Sequence, residues 1–156
     1  MMDKNELYVD LKKRAESGDA DAQFEFYLLE DKIPMKWLCC SADQGYMKAE
    51  MWLGYLYNTG SYGCPRDYFR SYLWYRRAAI GEHQKKIDQL IDKIVKKKPK
   101  LYFCKGILCE IARNIVTLEG RLGVEGVSKA DSMLERWEPG QCEREFVRTS
   151  STTGNQ

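Results

Sequence analysis

The sequence predicts an all-α protein, a short stack of antiparallel helix pairs closed by a C-terminal helical cap. Three observations carry this. The phrase Trp37-Leu38-Cys39-Cys40-Ser41-Ala42-Asp43-Gln44-Gly45 returns as Trp74-Tyr75-Arg76-Arg77-Ala78-Ala79-Ile80-Gly81, and its closing glycines stand 36 residues apart. A second phrase recurs on the C-terminal side of such glycines, since Ala22-Gln23-Phe24-Glu25-Phe26-Tyr27-Leu28 has the layout of Ala49-Glu50-Met51-Trp52-Leu53-Gly54-Tyr55. Between these landmarks the apolar residues recur at intervals of three and four, the helical period. Self-similarity at about 20 to 50 residues marks a repeat architecture, in which each unit buries its apolar face against its neighbour.

Leu7, Leu11 and Ala15 stand four apart, which predicts one apolar stripe on a helix over 5–16, ended by Gly18. Asp19 or Asp21 is placed to cap a second helix through Leu29. Ile33-Pro34 interrupts the chain, and a short third helix over 35–43 ends at Gly45. Ala49, Leu53, Leu56 and Tyr57 define a fourth helix over 47–57, within which Gly54 would let a neighbouring helix approach closely. Residues 58–65 read as a loop, and Asp67 caps a helix over 68–80 whose Ser71, Trp74 and Ala78 share a face.

Ile87, Leu90, Ile91, Ile94 and Val95 predict an amphipathic helix over 82–98, stopped by Pro99. The repeat is lost after that. Residues 101–118 read as one apolar helix, Gly120, Gly123 and Gly126 as a loop, and Ser128 with Asp131 as the cap of a final helix to Trp137. Pro139-Gly140 stops it, and 146–156 reads as a disordered tail.

Ala22 and Ala49, Leu53-Gly54, Tyr57, Gly60, Asp67-Tyr68, Trp74-Tyr75, Ala78-Ala79 and Gly81 resemble the Sel-one-like repeat, a helix-turn-helix relative of the tetratricopeptide repeat. Residues 46–81 match a full unit and 19–45 a unit nine residues shorter, in which Phe26 and Tyr27 replace the usual leucine and glycine. The resemblance divides the chain into a capping helix (1–18), a repeat region (19–98, the last partial unit being 82–98), a helical cap (99–145) and the tail. The string Ala130 to Cys142 is similar to the closing segment of many bacterial members. The family implies a right-handed α-solenoid that serves as a non-catalytic adaptor or scaffold, binding another protein or peptide on its concave groove. Fewer than three full repeats is marginal for such a stack, so the C-terminal cap or a second chain must close it, and a homodimer is one solution.

The chemistry-bearing residues support little else. At 156 residues the chain has room for one core, and 31% charged with 44% hydrophobic residues excludes disorder. No stretch has the length of a signal peptide's apolar run or a membrane span, which predicts a cytoplasmic protein whose six cysteines are reduced thiols. No cysteine pair has zinc-ribbon spacing and His83 has no local partner, so neither a metal, a cofactor nor a nucleophilic site is expected. The glycines at 120, 123 and 126 lack the lysine of a phosphate-binding loop.

Two surfaces remain as candidates. Trp37, Trp74, Phe24, Phe69 and Tyr57 fall at core positions of the repeat, but Trp52 and Tyr55 face the groove in the repeat this chain resembles, with Glu25 and Leu28 in the equivalent places one unit earlier. Large rings there would anchor a partner. The alternative is the basic stretch 82–100, where Lys85, Lys86, Lys93, Lys96, Lys97, Lys98 and Lys100 leave a charge of +4 against −1 on each flank. It could meet nucleic acid or an anionic membrane, although it lacks the interleaved aromatics of a nucleic-acid platform, and both partners are disfavoured.

Overall fold

A computed structural model describes residues 3–29, 35–97 and 105–138. These residues form seven helices and no strand: α1 (Lys4–Glu16), α2 (Ala20–Leu29), α3 (Lys36–Asp43), α4 (Met47–Thr59), α5 (Tyr68–Ala79), α6 (Gln84–Lys97) and α7 (Ile107–Leu134). None of the described helices is long and apolar enough to cross a membrane. The expected tail over 146–156, Cys104, Cys142, Lys98 and Lys100 lie outside the described residues.

The helix starts obey local chemistry. Asp3 and Glu6 form a capping box on α1, each side chain accepting from the other's end of the first turn. Asp19 accepts from the Ala22 amide at 3.1 Å and Asp67 from the Arg70 amide at 2.9 Å, so both expected caps are made.

The chain divides into two compact units, one running to Ala49 and including Trp137, the other spanning Glu50–Arg136. In the first, α2 packs against both α1 and α3. Leu11, Ala15, Ala22 and Phe26 form its core with Trp37 against them, and the Phe26 ring meets Trp37 edge-on at 5.6 Å and Tyr8 at 5.5 Å. The phenylalanine that departs from the repeat pattern is therefore a packing residue. Polar bonds tie the helices further: the Ser41 hydroxyl donates to the Ala20 carbonyl at 2.6 Å, Gln44 donates to Gln23 at 2.8 Å, and the Tyr46 hydroxyl donates to Asp21.

In the second unit α5 is the most deeply buried element, enclosing Ser71, Tyr72, Leu73, Trp74, Tyr75, Ala78 and Ala79. Its approach to α4 depends on Gly54, where a β-carbon would stand 2.8 Å from the Tyr75 ring, nearer than van der Waals contact allows. The Ser71 hydroxyl donates to the Gly54 carbonyl at 2.7 Å across the same contact. Glu50, 3% exposed, pairs with Arg77 at 2.9 Å. Gln23 precedes Glu50 by 27 residues, is likewise buried and bonds Gln44 at the C-terminal end of α3, so corresponding positions of the two similar sequence phrases each carry a buried polar tie.

Against α7 pack both α5 and α6. Ile111, Ala112, Ile115, Leu118 and Ala130 are among its buried residues. Here the structure departs from the sequence-based expectation. Gly120 and Gly126 stay helical, Ser128 and Asp131 lie inside the helix rather than at its cap, and helix ends at Leu134 before Trp137. The break is confined to Gly123, at φ 67 and ψ 179. A glycine inside a helix costs about 1 kcal/mol, which burial of residues on both sides of the break outweighs. On α6 Ile87 is buried, but Val95 is 59% exposed and leaves the predicted apolar stripe.

The cysteines bring a second correction. Cys39 on α3 and Cys109 on α7 are both disulfide-bonded, so the six cysteines are not all thiols, whereas Cys40 and Cys64 are. Burial pushes the Cys64 thiol up to about 11, which holds it protonated and unreactive.

Candidate partner-binding surfaces

The α4 helix turns Leu53 and Leu56 fully inward and carries Trp52 and Tyr55 on its flank. Their rings stack with centroids 5.3 Å apart and planes inclined by 27°. Tyr55 is 37% exposed and Trp52 half-buried, so the pair presents one continuous aromatic surface with its inner edge packed. Behind it the Trp52 indole nitrogen and the Tyr75 hydroxyl are buried without a hydrogen-bond partner. Burial raises the Tyr75 hydroxyl above the ordinary tyrosine range, reinforced by the charge of Glu110 and the neighbouring Tyr55. The exposed part of the pair is largely ring carbon, suited to burying apolar area.

Glu25 and Leu28 belong to the first unit, on the exposed side of α2. They line a groove of about 580 Å³ with Leu7, Tyr8 and Leu11 of α1 and with Leu29. The α1 side of this groove is not foreseen from sequence, although Leu7 and Leu11 share one stripe. That stripe reads as core, and of these two leucines only Leu11 is buried.

Lys85, Lys86, Lys93 and Lys96 are exposed on α6, and Lys97 ends that helix. Carboxylates interrupt them. Lys96 bonds Asp92 at 2.8 Å, and Glu82, Asp88 and Asp92 share a shallow groove with Lys85. His83 sits half-buried in the turn before α6. Among the described residues no three histidine, cysteine or acidic side chains gather in a way that could hold a metal ion.

No protein-family model, no curated protein and no solved structure matches this chain.

Proposed function

We propose that the protein is a non-catalytic adaptor of the Sel-one-like repeat kind, which binds another protein through the stacked Trp52–Tyr55 pair. The observation that carries this reading is that two large rings, packed behind and exposed in front, are held ready on one helix. Each fixes only two torsions on binding while burying much apolar area, the property that makes aromatic residues interface anchors. Repeat units 19–45 and 46–81, and the adaptor role itself, rest on the residues that resemble the family, with an all-helical fold as their setting. The disulfides at Cys39 and Cys109 favour an oxidising compartment over the cytoplasm as the place of work. The basic surface is the weaker reading, because Asp92 already occupies Lys96 and further carboxylates stand between the remaining lysines.

Trp52→Ala tests the proposal. Partner binding, followed by co-purification from the native host and then by titration of the partner so found, should weaken by about 2 kcal/mol or more while the melting temperature stays nearly unchanged. A variant that melts early and keeps its partners would make Trp52 a core residue and end the proposal.

A further inference from the structure

We infer that the Trp52–Tyr55 pair takes an arginine side chain of its partner, stacked on the rings and paired with the Glu110 carboxylate. The inference rests on the partner reading above and names the chemistry that the pair selects.

Contacts within the second unit set the geometry. Trp52, Tyr55 and Asn58 follow one another at three-residue intervals on α4, so they share a face. Asn58 donates to Asn114 of α7 at 3.4 Å, and Asn114 in turn donates to the Glu110 carbonyl one turn earlier at 2.9 Å. On α5, Arg77 meets Glu50 and Ser71 meets Gly54 of α4, while Tyr72 meets Glu119 and Tyr68 lies under Arg121 of α7. The α5 helix is thus antiparallel to both, and α4 and α7 run in the same direction. Four residues before the Asn58–Asn114 bond stand Gly54 on α4 and Glu110 on α7, which puts the carboxylate level with a residue that lies between the two rings in sequence. Tyr75 agrees with this register, since its ring abuts Gly54 and its hydroxyl feels the charge of Glu110.

Charge then names the occupant. Glu110 is exposed, and its carboxylate enters no ion pair and accepts no hydrogen bond among the described residues. The rings are as bare. Elsewhere the chain sets its own cations over aromatic faces, Lys36 over Trp37 at 5.1 Å, Arg121 over Tyr68 at 4.5 Å and Lys129 over Phe69 at 5.5 Å, but among the described residues none stands over Trp52 or Tyr55. Lys48, one turn before Trp52, lies over Tyr46 instead. The face of an aromatic ring is electronegative and so is a carboxylate, and one cation satisfies both. Arginine fits better than lysine, because its planar guanidinium stacks on a ring while its edge forks to a carboxylate.

The probe is the blocked dipeptide acetyl-arginyl-arginine amide, titrated into the full chain and followed by NMR at the Trp52 indole N–H, a resonance assigned by its loss in Trp52→Phe. That resonance should move saturably in the millimolar range. Glu110→Gln should weaken the dipeptide by at least about threefold with the melting curve nearly intact, since the side chain is exposed. The same dipeptide built from citrulline, uncharged and nearly identical in shape, should leave the resonance in place. No saturable shift, equal affinity for Glu110→Gln, or citrulline binding as tightly as arginine overturns the inference. The partner reading is tested apart from it: a chain that ignores the dipeptide while Trp52→Ala still loses the native partner keeps the adaptor and loses the arginine.

Discussion

Replacing Trp74 with alanine is expected to destabilise the protein by about 3 to 5 kcal/mol in urea titrations. Trp74 is 1% exposed in the middle of α5, the helix that packs against α7 and carries Tyr75 onto Gly54. Loss of the ring removes its transfer energy and leaves a cavity that flanking residues locked between two helices can fill only in part. The same substitution at Tyr55, exposed on the flank of α4, should cost far less. A shift below about 1 kcal/mol for Trp74→Ala would show that the second unit is not organised around this ring.

Reduction of the disulfides should be comparably damaging, at about 2 to 5 kcal/mol by the usual cost of losing such a link. Cys39 is fully buried and Cys109 is 7% exposed, so a small thiol reductant should act slowly below the melting transition and quickly within it. Mass spectrometry after alkylation without reductant should find Cys39 and Cys109 protected, with Cys64 labelled only on unfolding because it is buried and protonated. Equal urea midpoints with and without reductant would mean that the links contribute nothing to the fold.

Much of the fold is legible in the sequence because the apolar residues recur at the helical period and the turn and cap residues stand where that period breaks. Asp67 as a cap, Gly54 as the point of close approach and Trp74 as core all derive from residue type and position, and each has its physical counterpart in a bond or a contact. The buried polar position shared by Gln23 and Glu50 is legible too, as a polar residue next to each repeated alanine, but a lone sequence offers no reason to place a carboxylate inside until Arg77 is seen beside it. Other features depend on tertiary contact. Glycines at 120 and 126 signal a loop by local preference, and only packing along α7 overrides it. That Cys39 and Cys109 are disulfide-bonded is not signalled by any spacing in the sequence. The candidate surfaces divide in the same way: the three-residue interval puts Trp52 and Tyr55 on one face, yet how much of each ring is covered, and that Leu7 stands open opposite Leu28, are decided by neighbours distant in the chain.

The tyrosines buried in α5 have a consequence for alkaline solution. Tyr72 and Tyr75 are 1% and 0% exposed, and burial raises both hydroxyls above the usual range, as it does for Tyr46 together with its bond to Asp21. In the unfolded chain the same groups ionise near pH 10. The native state therefore keeps protons that the unfolded state releases, so the stability present below about pH 10 is lost as the pH climbs toward the native values. Tyrosinate absorbance from these rings should appear together with the loss of helical signal and not ahead of it, which makes them internal reporters of unfolding from the alkaline side.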